Sequence, residues 1–266
     1  MKNLLTIAGS DSCGGAGIQA DLKTFSAHGV YGMSVITAVT AQNTQGVFAV
    51  QDINPEIIGA QIEAIFEDID VHGVKIGMVS QINTIKIIAE KLKQYKPAKV
   101  VLDPVMISKS GYDLLQPEAK EALINDLIPL ATLITPNLPE AEEITKIKIE
   151  NIEDMKKAAE IIYNMGVKCV LVKGGHLPDK AIDVLYDGAT FIFYESARIN
   201  TKNTHGTGCT LSSAIASNLG KGLDVKEAVK EAKEYITTAI ENSLTIGKGV
   251  GPTNHFYNLY KNAGLI

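Results

Sequence analysis

The chain has 266 residues, 45% hydrophobic and 21% charged, a composition that supports a large buried core and excludes disorder and small staple-dependent scaffolds. Lys+Arg number 25 against Asp+Glu 30, giving a net charge of −5, with 6% aromatic residues and no Trp; nucleic-acid binding by phosphate neutralisation or base stacking is not expected. Cys13, Cys169 and Cys209 are odd in number and lack CxxC or Cys/His spacing, which argues against a disulfide framework or a structural zinc site.

In chain order, β-rich runs at residues 4–8, 34–41, 74–78, 99–103, 132–135 and 168–173 alternate with helical stretches at 55–68, 84–94, 117–128 and 153–165. The early strands are nearly all apolar, as a sheet covered on both faces requires. Ile152, Met155, Ala159, Ile162 and Met165 recur at spacings of three and four, one core-facing helix stripe. Residues 181–186 and 190–194, joined by Asp187-Gly188, predict a hairpin with an Asp-Gly turn. Helices at about 207–221 and 225–244 close the chain. No linker, repeat or low-complexity segment interrupts it, so residues 1–266 read as a single α/β domain with a mostly parallel central sheet. The apolar run at 4–8 is too short for a signal peptide and no run approaches a membrane span, so a cytoplasmic location is expected by elimination.

Ligands of such sheets sit outside the carboxyl ends of the strands, where polar and glycine residues gather here. The loop GSDSCGGAG at residues 9–17 matches a relaxed dinucleotide fingerprint, but the second strand ends in Gln42 instead of an acid and no P-loop lysine follows. Close backbone approach to a small ligand is the preferred reading. Gly206-Thr207-Gly208-Cys209 opens a helix, a place for an anion on backbone N–H groups, although Thr207 alone would serve as an N-cap. Cys209 in that first turn tends toward a lowered pKa. It suits a nucleophile with His205 as base, a proton acceptor, or an inert buried thiol. Asn137 and Glu140 near one strand end and Asp103 at another suit hydrated Mg²⁺, with helix capping and turn formation as the plain alternatives. Lys173, ending a strand before two glycines, suits phosphate or solvent equally.

Residues 8–25 (AGSDSCGGAGIQADLKTF), 39–47 (VTAQNTQGV), 75–78 (KIGM), 102–106 (LDPVM), 135–141 (TPNLPEA), 172–176 (VKGGH) and 200–210 (NTKNTHGTGCT) together resemble the hydroxymethylpyrimidine/phosphomethylpyrimidine kinases of thiamine biosynthesis, in the ribokinase-like superfamily. The resemblance runs through nearly the whole chain. It implies a ribokinase-like fold with helices on both faces of the sheet, and ATP- and Mg²⁺-dependent phosphorylation of 4-amino-5-hydroxymethyl-2-methylpyrimidine and of its monophosphate. It further implies Gln42 against the pyrimidine edge with Gly9, Ala16, Met78 and Val105 around the ring. Gly206, Gly208 and Cys209 become the anion hole and proton acceptor, Asn137, Lys173 and Thr207 the ATP contacts, and Asp103 and Glu140 the Mg²⁺ site. The wider superfamily usually has aspartate where Cys209 stands. A homodimer is implied by resemblance only. The competing readings are a pyridoxine/pyridoxal kinase, against which Ala41-Gln42-Asn43 speaks, a cysteine hydrolase built on Cys209 and His205, and a non-catalytic pyrimidine-binding module.

Overall fold

The computed structural model describes residues 1–107, 114–175 and 181–266. Among these described residues nine strands form one sheet: β1 (Asn3–Asp11), β2 (Tyr31–Asn43), β3 (Gly46–Asp52), β4 (Gly73–Ile76), β5 (Val100–Leu102), β6 (Leu133–Ile134), β7 (Cys169–Val172), β8 (Ala181–Tyr186) and β9 (Phe191–Ser196), in the order β3-β2-β1-β4-β5-β6-β7-β8-β9. β2, β1, β4, β5, β6 and β7 run parallel, and an antiparallel hairpin closes each edge. The expected Asp-Gly turn joins β8 to β9, with Asp187 Oδ1 accepting from the N–H groups of Ala189 and Thr190 at 3.0 and 2.7 Å.

The strands are short and apolar because alternate residues enter two different cores. Leu5, Ile76, Val100, Leu102, Ile134 and Val170 pack on one face, beneath α2 (Pro55–Phe66), α3 (Ile82–Tyr95), α5 (Leu138–Thr145) and α6 (Ile152–Tyr163); α4 (Lys120–Ala122) lies beside them. Leu4, Val101, Leu133 and Leu171 face α1 (Gly17–Ala27), α7 (Thr207–Lys221) and α8 (Val225–Glu241). A short α9 (Tyr257–Asn262) ends the chain. Side chains that alternate across a pleated strand give both faces an apolar lining without any polar alternation in sequence. One stretch departs from expectation: the helix predicted at 117–128 is a mosaic of 3₁₀, α and π turns through Leu130, with Pro129 breaking the ladder.

From β1 the chain steps outward to β2 on one side and later to β4 on the other. That reversal opens a crevice at the carboxyl ends of the strands.

Candidate active site

β1 runs further than its apolar core suggests, so Gly9 and Asp11 belong to the strand and not to a loop, and Gln42 likewise lies inside β2. The register between β1 and β2 shifts between Ala8 and Ser10, an irregularity that re-aims side chains near a site. Ser12 Oγ then stitches the two strand ends together, donating to the Gln42 carbonyl at 2.7 Å and accepting from its N–H at 2.9 Å. Thr40 Oγ1 lies within hydrogen-bond distance of both the Ser10 carbonyl, at 2.9 Å, and Gln42 Oε1, at 3.1 Å, and Gln42 borders the crevice.

The thirteen site residues that the resemblance implies all line one cleft of about 1160 Å³. Their order along the sheet edge is informative. Gly9, Ala16, Gln42, Met78 and Val105 come from β1, the N-cap of α1, β2 and the segments after β4 and β5, whereas Asn137, Glu140, Lys173 and Gly206 to Cys209 come from beyond β6, the end of β7 and the start of α7. Asp103, following β5, stands between the two groups. His176, the last residue of VKGGH, lies outside the described residues.

Gly206 is the N-cap of α7, at φ 76°, and no side chain caps this helix. Thr207 Oγ1 instead donates to the Thr204 carbonyl at 2.8 Å, so the N-cap expected of Thr207 is not made and the N–H groups at the amino end are left without a side-chain acceptor. These donors and the helix dipole favour an anion. A Cβ placed on Gly208 would lie 3.4 Å from both Asp103 Oδ2 and Lys173 Nζ, so backbone, cation and carboxylate converge. Lys173 Nζ donates to Asp103 Oδ1 at 2.9 Å, and Thr135 Oγ1 to the same oxygen at 3.1 Å.

Asn137 and Glu140 do cap α5, each accepting from the other's backbone N–H at 2.9 and 2.8 Å in a reciprocal capping box. They still border the cleft. Burial pushes Glu140 up to about 7, with Asp103 adding and Lys173 and the Asn137 and Met106 amides opposing. For Asp103 burial works upward too, but Lys173, Lys75 and the Thr135 hydroxyl outweigh it and keep the carboxyl below the usual range. Asp103 is therefore a persistent anion, and Glu140 one that a nearby cation would ionise.

The lowered pKa expected for Cys209 is overturned. Burial pushes the thiol up to about 11, aided by Asp21 and Asp103 and opposed by the Lys75 ammonium and the Gly17 N–H. One helix terminus does not offset desolvation plus two carboxylates. The Cys209–His205 dyad is overturned as well, since His205 Nε2 meets Asp11 Oδ2 at 2.8 Å instead. Asp11 and Lys75 were not anticipated. Both are buried and both line the cleft; an aspartate within the glycine-rich motif after the first strand was the available signal for Asp11, and it went unread.

The family described as phosphomethylpyrimidine kinase matches residues 11–254. The hydroxymethylpyrimidine/phosphomethylpyrimidine kinase of Rhizobium meliloti is 54% identical over 97% of this chain and 98% of its own length. Among solved structures, a phosphomethylpyrimidine kinase from Clostridium difficile 630 is similar with TM-score 0.82 and 61% identity, over 90% of this chain and 100% of that one. An ADP complex of Bacillus subtilis pyridoxal kinase superposes with TM-score 0.90 and 44% identity, over 96% and 98%. With its ribokinase-like sheet, its cleft at the sheet edge and a match along nearly its whole length, the chain belongs to the phosphomethylpyrimidine kinase family.

Proposed function

We propose that residues 1–266 work as one kinase domain that moves the γ-phosphoryl group of ATP to the hydroxymethyl oxygen of 4-amino-5-hydroxymethyl-2-methylpyrimidine, and then phosphorylates the monophosphate to the diphosphate for thiamine biosynthesis. The observation that carries this reading is the convergence at Gly208 of helix-terminal N–H groups, Lys173 and Asp103, beside a mostly apolar slot that ends in one amide, Gln42. An amide both donates and accepts, which suits the polar edge of an aminopyrimidine. Gly9, Ala16, Met78 and Val105 surround the ring.

In direct in-line transfer the acceptor oxygen bonds to phosphorus as the bond to the β-phosphate oxygen breaks, and catalysis is mainly positioning and charge stabilisation. The amides of residues 206–209 receive the charge of the phosphoryl group, while Lys173, Asn137 and Thr207 hold the nucleotide phosphates. Cys209 accepts the hydroxyl proton as a thiolate. With its pKa at about 11, forming that thiolate at pH 7 costs about 5 kcal/mol, which fits within the roughly 16 kcal/mol barrier of a kinase turning over about ten times per second. Asp103 and Glu140 are hard oxygen donors, one anionic and one easily ionised, and fit a Mg²⁺ that keeps most of its water. When bound there, Mg²⁺ would neutralise phosphate charge.

The free thiols Cys13, Cys169 and Cys209 and the need for ATP support a cytoplasmic location; among the described residues no helix is long and apolar enough to cross a membrane. Val39 and Phe48, 47% and 67% exposed on the β2–β3 hairpin, support pairing with a second copy of the chain.

Incubation with ATP, Mg²⁺ and the pyrimidine alcohol, read by mass spectrometry, should yield the monophosphate and then the diphosphate. The likeness to a pyridoxal kinase favours pyridoxal as a second, slower acceptor. A hundredfold preference for pyridoxal would reverse the assignment.

A further inference from the structure

The two glycine-rich motifs meet at a contact that substrate binding does not explain. Asp11 and His205 are 194 residues apart in sequence, yet His205 Nε2 lies 2.8 Å from Asp11 Oδ2, with both residues buried. The carboxylate accepts bonds from the N–H groups of Cys13, Gly15 and Ala16 at 2.9, 3.0 and 2.8 Å, so the loop after β1 is wound around it. A carboxylate acceptor assigns the proton to Nε2 of the imidazole.

His205 is fixed from the other side by its own N–H, which donates to the Gly251 carbonyl at 3.0 Å, and by a bridge to Pro252. The next residue is Gly206, whose Cβ, were there one, would lie 1.7 Å from the Gly15 carbonyl oxygen. Gln42 Nε2 approaches His205 Nε2 to 3.5 Å. One imidazole thus borders the ring-facing amide, the loop that carries Ala16, and the first residue of the anion loop.

A metal site is the obvious rival, because the ligand atoms of Asp11, Cys13 and His205 lie within 4.8 Å of one another. The Asp11 oxygens speak against it, because both already accept from backbone N–H donors, Oδ1 from Cys13 and Oδ2 from Gly15 and Ala16.

We propose that Asp11 and His205 form a positioning pair that sets the anion loop in line with the substrate-side loop, so that acceptor oxygen and phosphoryl group meet at the right angle. Neither side chain touches the reacting atoms; the pair acts through Ala16 and Gly206. A charge-assisted, directional bond suits this task better than apolar packing, and misplacement by about 1 Å is enough to cost about a hundredfold in rate.

The inference rests on the kinase reading, and the test separates the two. His205→Leu and His205→Gln are of similar size, but only the second keeps an N–H that reaches Asp11. With ATP and the pyrimidine alcohol, His205→Leu should lose at least 30-fold in kcat with KM for either substrate within about threefold, and should release ADP in excess of phosphorylated pyrimidine. His205→Gln should stay within about fivefold of the parent in kcat and remain coupled. Equal kcat in the folded Leu and Gln variants, or a loss confined to KM, overturns the pair. If His205→Leu fails to fold, a folded His205→Gln that has lost more than 30-fold in kcat overturns it instead. A parent that makes no phosphorylated pyrimidine defeats the kinase reading itself.

Discussion

Lys75 Nζ lies 2.9 Å from Asp21 Oδ2, and neither side chain has any solvent exposure. Asp21 also accepts from Thr6 Oγ1 and Ser213 Oγ, each at 2.6 Å, so one carboxylate joins β1, β4, α1 and α7 beneath the anion loop. Lys75→Met leaves that carboxylate buried without its cation and should cost about 3–5 kcal/mol in urea unfolding. Adding Asp21→Asn should restore at least half of the loss. A single Lys75→Met variant within 1 kcal/mol of the parent would show that the pair is not what holds this junction.

The raised Cys209 thiol fixes the sign of the pH dependence of turnover. If the thiolate takes the proton, log kcat rises with a slope near one between pH 7 and pH 9, because the group, at about 11, is only partly ionised throughout. Cys209→Ala should flatten this profile and depress kcat more at pH 9 than at pH 7, with binding of the pyrimidine nearly unchanged. A parent profile already flat over that interval removes the base role and leaves the kinase reading standing.

Asp11 should contribute to acid stability. Burial raises its pKa, but the bond from His205 and the N–H groups of Ala16 and Cys13 prevail, and the group is lowered from 3.8 to about 2. A depressed carboxyl stabilises the fold above its unfolded value and loses that contribution as the pH falls through the folded one, here from about 4 down to about 2. The contribution is about 2 kcal/mol at neutral pH. The difference in unfolding free energy between the parent and Asp11→Asn should shrink across that window; a difference independent of pH would contradict it.

Glu140 serves both as a cap and as a cleft carboxyl, and Glu140→Gln separates the two. The amide oxygen still accepts from the Asn137 N–H, so thermal unfolding should change by less than about 1 kcal/mol. Loss of the charge should raise the Mg²⁺ concentration needed for half-maximal activity about tenfold. Unchanged Mg²⁺ dependence would confine Glu140 to capping.

The buried parallel strands were legible because both faces of the sheet are covered, so that Val100 to Leu102 and Cys169 to Val172 carry no polar interruption. The β3 strand was not, since an edge strand with only partly covered side chains is shaped less by burial. The site residues on strand ends and at the start of α7 followed from the crevice rule and the family resemblance together. What escaped was pairing at long range. Lys75 reads as an isolated charge in an apolar strand, and nothing nearby in sequence announces Asp21. His205 and Cys209 stand at a spacing that would face them on a helix, but the chain turns through positive φ at Gly206 before α7 begins, so that rule does not reach His205.

The abutment of Gly206 on the Gly15 carbonyl has a bearing on how such an enzyme changes. It is a join between two stretches of main chain, with no side chain on either side to tune. Replacement at Gly206 meets a carbonyl oxygen, and replacement at Gly15 meets the His205 ring, so an exchange at either glycine does not loosen the join gradually. Gln42, Met78 and Val105 line the cleft away from that join, so the cleft wall can change at these positions while the two loops stay locked together, and a changed cleft would inherit the same seam.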